Sequence, residues 1–125
     1  MRDRLVAAVL SGRKTASSSL LADWQREGEA LAVAGQQRVV VDSAERPVAI
    51  IEIVQVEVIA LGEADLGLAI EEGEGFASVA QWRDAHELFW SESSGDSVED
   101  LRVRAFSDHT RVVVERFELV RRLPT

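Results

Sequence analysis

Hydrophobic residues recur along the chain with two different periods, and this pattern predicts a mixture of helices and strands. Spacings of three to four residues predict four helices, at residues 2–11, 20–26, 63–72 and 79–91. β-branched runs and apolar–polar alternation predict three strands, at residues 37–42, 48–59 and 111–121. Because helices and strands are interspersed, the sequence predicts an α+β domain with a small, partly closed sheet.

Turn and capping residues divide these segments. Gly12 follows the first predicted helix, and Ser78 precedes the last one as an N-cap. Ser18 or Ser19 is positioned to cap the second predicted helix. Residues 93–110 are polar and acidic with a weak helical pattern, and they are predicted mainly as loop.

Length and composition indicate that residues 1–125 form one domain. Apolar residues make up 46% of the chain and charged residues 29%, which is typical of a globular protein with its own core. No apolar run approaches the roughly 18–20 residues that span a bilayer, and the first residues lack the pattern of a signal peptide. The chain has no cysteine, which excludes disulfides and fits a reducing compartment. We therefore expect a cytoplasmic protein without a membrane partner.

The charge balance limits the partners further. The chain has 22 acidic and 14 basic residues, and its formal net charge is −8. Binding to long double-stranded DNA depends on a basic surface, so this partner is not expected. A small neutral nucleoside tolerates the negative charge, whereas RNA would need a local basic patch.

The first candidate site lies in residues 12–19, with the sequence Gly-Arg-Lys-Thr-Ala-Ser-Ser-Ser. Lys14 and Ser17 are three residues apart, so one turn or bend brings an ammonium close to a hydroxyl. A serine needs a neighbouring base or cation to act as a nucleophile. The alternative is a helix end whose basic pair complements the helix dipole, followed by a serine N-cap.

The second candidate is the acidic segment at residues 71–75, Glu-Glu-Gly-Glu-Gly. Glycine lets the backbone approach a ligand closely, and clustered carboxylates raise one another's pKa or bind a divalent cation. Glu72 or Glu74 is therefore a candidate general acid or base. The alternative is a solvated loop between two helices.

The third candidate is one face of the helix predicted at residues 79–91. At about 100° per residue this face carries Val79, Trp82, Arg83, His86, Phe89 and Trp90. An arginine on an apolar face needs a carboxylate, a phosphate or a base plane as its partner. The alternatives are a hydrogen-bonded core histidine and an arginine paired with a structural glutamate. Glu52, in an apolar strand, is predicted to pair with Arg83 or Lys14.

Five segments have the order and spacing of a known family. They are Gly-Arg-Lys-Thr at residues 12–15, Ala-Ile-Ile-Glu-Ile at 49–53, Glu-Gly-Glu-Gly-Phe at 72–76, Trp-Arg and His-Glu-Leu-Phe-Trp within 82–90, and Val-Val-Glu-Arg-Phe at 113–117. Through them, nearly the whole chain resembles the ASCH family of the PUA-like superfamily. The resemblance implies an α+β fold, with helices packed around a small PUA-like β-barrel and a cleft lined by the Lys14 segment.

The resemblance also implies a functional class, because ASCH proteins are thought to handle RNA or its components. One branch hydrolyses the acetyl amide of acetylated cytidine with a lysine, a threonine and a glutamate. The lysine falls on Lys14, the threonine on Ser17 and the glutamate on Glu72 or Glu74, while an arginine of that branch falls on Ser19. This implies a hydrolase, without a cofactor, that acts on RNA or a modified nucleoside.

Two other functions remain as alternatives. A second branch is associated with divalent-metal-dependent cleavage of single-stranded RNA, in which the acidic segment would bind the cation. The third hypothesis is a binding module without catalysis, which recognises a base by stacking and edge hydrogen bonds. The candidate substrate-binding side chains are Arg13, Thr15, Trp82, Arg83 and His86.

Overall fold

The fold was analysed in a computed structural model, which describes residues 2–93 and 106–124. It contains, in chain order, α1 (Arg2–Leu10), β1 (Ala16–Leu20), α2 (Leu21–Glu27), β2 (Gln37–Val41), β3 (Pro47–Ala60), a 3-10 turn (Leu61–Glu63), α3 (Leu66–Glu71), α4 (Val79–Ser93) and β4 (Arg111–Arg122). The predicted α+β class is confirmed.

The four strands form one antiparallel sheet in the order β1-β4-β3-β2. The sheet curls into a half-barrel. The 14-residue β3 is long enough to pair with both β2 and β4, and its register with β4 shifts at two positions. Such irregularities increase the local twist of a sheet and help it to curl.

Apolar residues are buried on both faces of the sheet. One cluster joins β1 and β4 to α3 and α4, and its largest members are Trp82 and Trp90. The other cluster joins β3 and β4 to α1 through Val9, Ile53 and Phe117. Because neighbouring residues of a strand point to opposite faces, β4 supplies Val112 and Val114 to the first cluster and Phe117, across the register shift, to the second.

The predicted role of the serine run as a helix cap is wrong. Ser18 and Ser19 lie in β1, and α2 begins after Leu20, whose side chain makes no capping hydrogen bond. Serine has a low strand propensity, but here the edge of β4 supplies hydrogen-bonding partners from Val112 to Arg116. Tertiary pairing therefore overrides the local preference.

Two further predictions need correction. The helix predicted at residues 63–72 is divided into the 3-10 turn and α3, with Asp65 as the N-cap of α3. Glu52 does not pair with either predicted partner, since Lys14 donates to backbone carbonyls and Arg83 pairs with Glu87 and Asp108.

Two other predicted helix ends agree with the structure. Gly12 has a φ of +81° and its amide donates to the carbonyl of Val9, so it ends α1 as expected. The Ser78 hydroxyl accepts the amide of Gln81 and caps α4. Of the loop predicted at 93–110, residue 93 lies in α4 and residues 106–110 precede β4 without regular structure, while residues 94–105 lie outside the described residues.

Candidate functional site

Two of the predicted candidate segments lie against each other through their backbones. The amide of Thr15 donates to the carbonyl of Glu71 at 2.7 Å. Gly73 has a φ of +70°, and a Cβ atom at this position would lie 2.6 Å from backbone atoms of Arg13 and Lys14. Only glycine fits both the left-handed backbone and this approach. The acidic segment is thus held next to the lysine.

The carboxylate of Glu72 is buried under this contact, with 1% of its side chain exposed. The Ser18 hydroxyl donates to Oε2 at 2.9 Å, and the indole N–H of Trp82 donates to the same oxygen. His86 Nε2 lies 3.0 Å from the other oxygen, Oε1. A buried carboxylate is stable only when its oxygens are satisfied in this way.

The position of His86 is fixed from both sides of its ring. Its Nδ1 lies 2.7 Å from the carbonyl of Trp82, which can only accept, so Nδ1 carries a proton. Its ring also stacks on the Trp82 indole, with 4.3 Å between ring centroids. Nε2 and Glu72 therefore share one further proton, as an imidazolium–carboxylate pair or as a neutral pair.

The electrostatics favour the charged form of this pair. Burial opposes charge on both groups, but their mutual hydrogen bond and attraction outweigh it. The pKa of Glu72 is therefore lowered and the pKa of His86 is raised. The Trp82 indole N–H and the positive charge of Lys14 also lower the pKa of Glu72, and the negative charge of Glu74 also raises the pKa of His86.

These shifts predict how stability depends on pH. A lowered carboxyl pKa stabilises the fold above the ordinary value of 4.5, and this contribution is lost as pH falls through the folded-state pKa. A raised histidine pKa stabilises the fold below the ordinary value of 6.5, and this contribution is lost as pH rises through the folded-state pKa. The Tm difference between wild type and His86→Gln should therefore be largest between these two pH values. A difference that does not change from pH 4 to pH 9 would contradict the ion pair.

A pocket of about 230 Å³ opens beside the pair. Its polar lining comes from β1 and the residues just before it, the acidic segment and α4: Lys14, Ser17, Ser18, Glu72, Glu74 and His86. Its apolar lining is Leu5, Phe76, Ala85 and Phe89. The four predicted catalytic residues thus surround one space, together with one predicted substrate-binding residue, His86.

The ammonium of Lys14 is oriented by two backbone oxygens. Its Nζ donates to the carbonyl of Ala16 at 3.0 Å and to the carbonyl of Glu72 at 3.3 Å. An ammonium has three N–H donors, so one remains for a ligand in the pocket. Within residues 2–93 and 106–124, no residue donates a hydrogen bond to the Glu74 carboxylate, so it too is available to a ligand.

The other predicted substrate-binding residues lie outside this pocket. Trp82 is 1% exposed; its indole N–H donates to the Glu72 carboxylate and its ring stacks on His86. Arg83 binds Glu87 and Asp108. Thr15 connects the acidic segment to β4 through its backbone, since its carbonyl accepts the amide of Phe117. Arg13 lines a neighbouring pocket.

Five lining residues were not predicted as site residues: Leu5, Ser18, Phe76, Ala85 and Phe89. In β1, Ser18 lies between Ala16 and Leu20, which both face the core, but this strand was not predicted, so alternation could not identify Ser18 from the sequence. Phe89 was on the predicted helix face, and its 55% exposure beside a pocket is what distinguishes it from the core residues of that face.

A cation site in the pocket would need ligand atoms that are free to bind the ion. Glu72, Glu74 and His86 each offer one ligand atom, and these atoms lie within 4.8 Å of one another. However, Nε2 of His86 is hydrogen-bonded to Oε1 of Glu72. Nδ1 of His86 is hydrogen-bonded to the carbonyl of Trp82. A cation would have to break the His86–Glu72 bond, so the pair as arranged does not fit a metal ion.

Comparison with known proteins agrees with this architecture. The family model for the ASCH domain matches residues 1–121. The chain belongs to the ASCH domain family. This assignment supports an RNA-related module of the PUA-like type. No curated protein matches the chain significantly.

Two solved structures are similar to this ASCH domain over most of its length. A crystal structure of an ASCH domain from Lactobacillus crispatus has a TM-score of 0.81 and 30% identity, covering 94% of this chain and 71% of that one. A protein of the DUF984 family from Enterococcus faecalis has a TM-score of 0.80 and 31% identity, covering 95% of this chain and 68% of that one. Among the described residues, no helix is long and apolar enough to cross a membrane.

Proposed function

We propose that this ASCH domain hydrolyses an acyl amide or ester on a modified nucleoside of the acetylated-cytidine type. The observation that carries the proposal is that Lys14, Ser17, Glu72 and Glu74 line one pocket. An amine, a hydroxyl and a carboxylate are what acyl transfer needs: an oxyanion partner, a nucleophile and a proton-transfer group.

The size and walls of the pocket fit one nucleoside unit of a ligand. Its volume of about 230 Å³ is below the ~300–1,000 Å³ of pockets that enclose drug-sized ligands. Phe76 and the exposed Phe89 supply aromatic surface on which a base can stack. The carboxylate of Glu74 and the lone pairs of the Ser18 hydroxyl can accept hydrogen bonds from the edge of the base.

The contacts of Lys14 favour a role as the oxyanion partner. Its ammonium is held by two carbonyl oxygens and has one N–H left to donate to a developing oxyanion. The Glu72–His86 pair holds that geometry in place, because the carbonyl of Glu72 is one of the two oxygens. We assign proton transfer to Glu74, whose carboxylate is not saturated by other donors.

The reaction then has two steps. The Ser17 hydroxyl oxygen attacks the acyl carbon and passes its proton to Glu74, and the amine or alcohol of the nucleoside leaves with that proton. A water molecule then attacks the acyl-serine and gives one proton to Glu74, which passes it to the departing Ser17 oxygen. The acyl group leaves as the carboxylic acid, which carries the second proton of the water. Each step forms one bond to the acyl carbon and breaks another.

Release of acetate from N4-acetylcytidine and a panel of acylated nucleosides tests the proposal. Wild type should release acetate, and Ser17→Ala should lower kcat/KM by roughly 10³-fold or more. Ser19→Ala is the matched control, because its hydroxyl accepts the Trp24 indole N–H and does not line the pocket. This control should keep most of the activity.

Three outcomes would contradict the hydrolase. They are no acetate release across the panel, RNA cleavage that EDTA stops, or full activity in Ser17→Ala. The second outcome would support the ribonuclease alternative. Tight nucleoside binding without turnover would support the binding module.

A further inference from the structure

A second pocket, of about 300 Å³, lies next to the first one and shares part of its wall. Leu5, Glu74 and Phe76 line both pockets. The remaining lining of the second pocket is Arg4, Ala8, Arg13, Gly73 and Gly75. A ligand that fills the first pocket can therefore extend past Phe76 into a space that contains two guanidinium groups.

These two arginines differ from five others in the described part of the chain. Arg26, Arg38, Arg46, Arg83 and Arg116 each form an ion pair with a carboxylate. In the part of the chain that the structure describes, neither Arg4 nor Arg13 has a carboxylate partner within 4 Å, although acidic residues outnumber basic ones. Arg13 is also oriented, because its Nε donates to the Ser11 hydroxyl at 3.0 Å and leaves its terminal nitrogens available.

The backbone of the acidic segment, which lines this pocket, has two N–H groups without a partner among the described residues. The amide of Gly73 donates to the carbonyl of Ile70. By contrast, the amides of Glu74 and Gly75 donate to no residue among 2–93 and 106–124. Gly75 has no side chain to cover them, and a Cβ there would contact nothing within 4 Å. Unpaired backbone N–H groups beside guanidinium groups form a setting that binds anions.

We infer that the second pocket is a phosphate subsite, formed by Arg4 and Arg13, for a nucleotide unit whose base occupies the first pocket. The base placement rests on the proposed function. The substrate is then a nucleoside monophosphate or a residue of RNA rather than a free nucleoside. Glu74 lies in both pockets and its carboxylate repels a phosphate, so the phosphate binds the two guanidinium groups and stays away from the Glu74 carboxylate. This gives an acidic protein the local basic patch that RNA requires.

The experiment compares cytidine with cytidine 5′- and 3′-monophosphate by isothermal titration calorimetry at low salt. At least one monophosphate should bind about tenfold more tightly than cytidine to wild type. The double variant Arg4→Ala/Arg13→Ala should lose this preference and keep its affinity for cytidine. Arg2→Ala, on the same helix as Arg4 but outside both pockets, is the control for the loss of one positive charge and should keep the preference in part or in full.

Several results would overturn the subsite. They are equal affinities for cytidine and both monophosphates, equal losses for cytidine and monophosphate in the double variant, or loss of the whole preference in Arg2→Ala. Inorganic phosphate, titrated in parallel, should bind more weakly than the preferred monophosphate; equal binding would contradict a nucleotide ligand. A phosphate preference without acyl hydrolysis would keep the subsite and reject the hydrolase. Hydrolysis without a phosphate preference would support the hydrolase and reject the phosphate subsite.

Discussion

Replacing Glu72 by leucine should lower the free energy of unfolding by about 3–5 kcal/mol, the usual cost of removing one partner from a buried ion pair. Leucine would leave the indole N–H of Trp82 and the Ser18 hydroxyl without their acceptor. It would also leave His86 either charged without its partner or neutral at a burial cost. In the described part of the chain, every buried side-chain nitrogen and oxygen now has a hydrogen-bonding partner, so the variant introduces a new defect.

Urea unfolding near pH 6 measures this effect, with Glu74→Leu as the matched control. Glu74 is only half-buried and receives no hydrogen bond from the described residues, so its replacement should change the free energy of unfolding by less than ~1 kcal/mol. Equal losses in the two variants would contradict the assignment of Glu72 as the centre of the buried network.

Gly73→Ala should destabilise the protein by about 2–5 kcal/mol, the sum of a left-handed backbone and an overpacked contact. The new Cβ would lie 2.6 Å from backbone atoms of Arg13 and Lys14, which cannot rotate away as a side chain could. The acidic segment would have to move away from Lys14. We therefore expect the variant to lose ligand binding in the pocket as well as stability.

Gly75→Ala is the control for this prediction, because the two glycines differ in surroundings but not in backbone region. Gly75 has a φ of +84°, and a Cβ there would meet nothing within 4 Å. Gly75→Ala should lower the free energy of unfolding only by the cost of the left-handed backbone, roughly 1–2 kcal/mol. If thermal unfolding showed the same loss of stability for both variants, the close approach of the Gly73 backbone to Arg13 and Lys14 would not explain the effect of Gly73→Ala.

The fold could be predicted wherever the local pattern and the final environment agree. The β-branched run of β3 buries Ile51 and Ile53, and the three-to-four-residue spacing in α4 buries Trp82 and Trp90, so the sequence pattern identified both elements. β1 could not be found in this way, because serines have no apolar alternation and their pairing depends on β4, almost 100 residues later. Long-range strand pairing leaves no local signal.

In the candidate site, too, some features could be identified from the sequence and others depend on the fold. Lys14, Ser17 and the acidic segment were identified from residue chemistry, and the backbone contact at Gly73 is what brings them together. The sequence could not separate Glu72 from Glu74, which are two residues apart. Their different burial follows from the path of the chain through Gly73. Arg83 has the right chemistry for a ligand but is occupied by Asp108, a partner that no spacing rule indicates.

In the proposed hydrolase reaction, Ser17 carries the acyl group during turnover. Trypsin cleaves after Lys14 and Arg26, so one peptide contains Thr15, Ser17, Ser18 and Ser19. The measurement is fragmentation mass spectrometry of this peptide after an acid quench of the reaction with N4-acetylcytidine. We predict one acetyl group on Ser17, absent in Ser17→Ala. Acetylation of a different hydroxyl, or turnover without any acetylated peptide, would contradict the account.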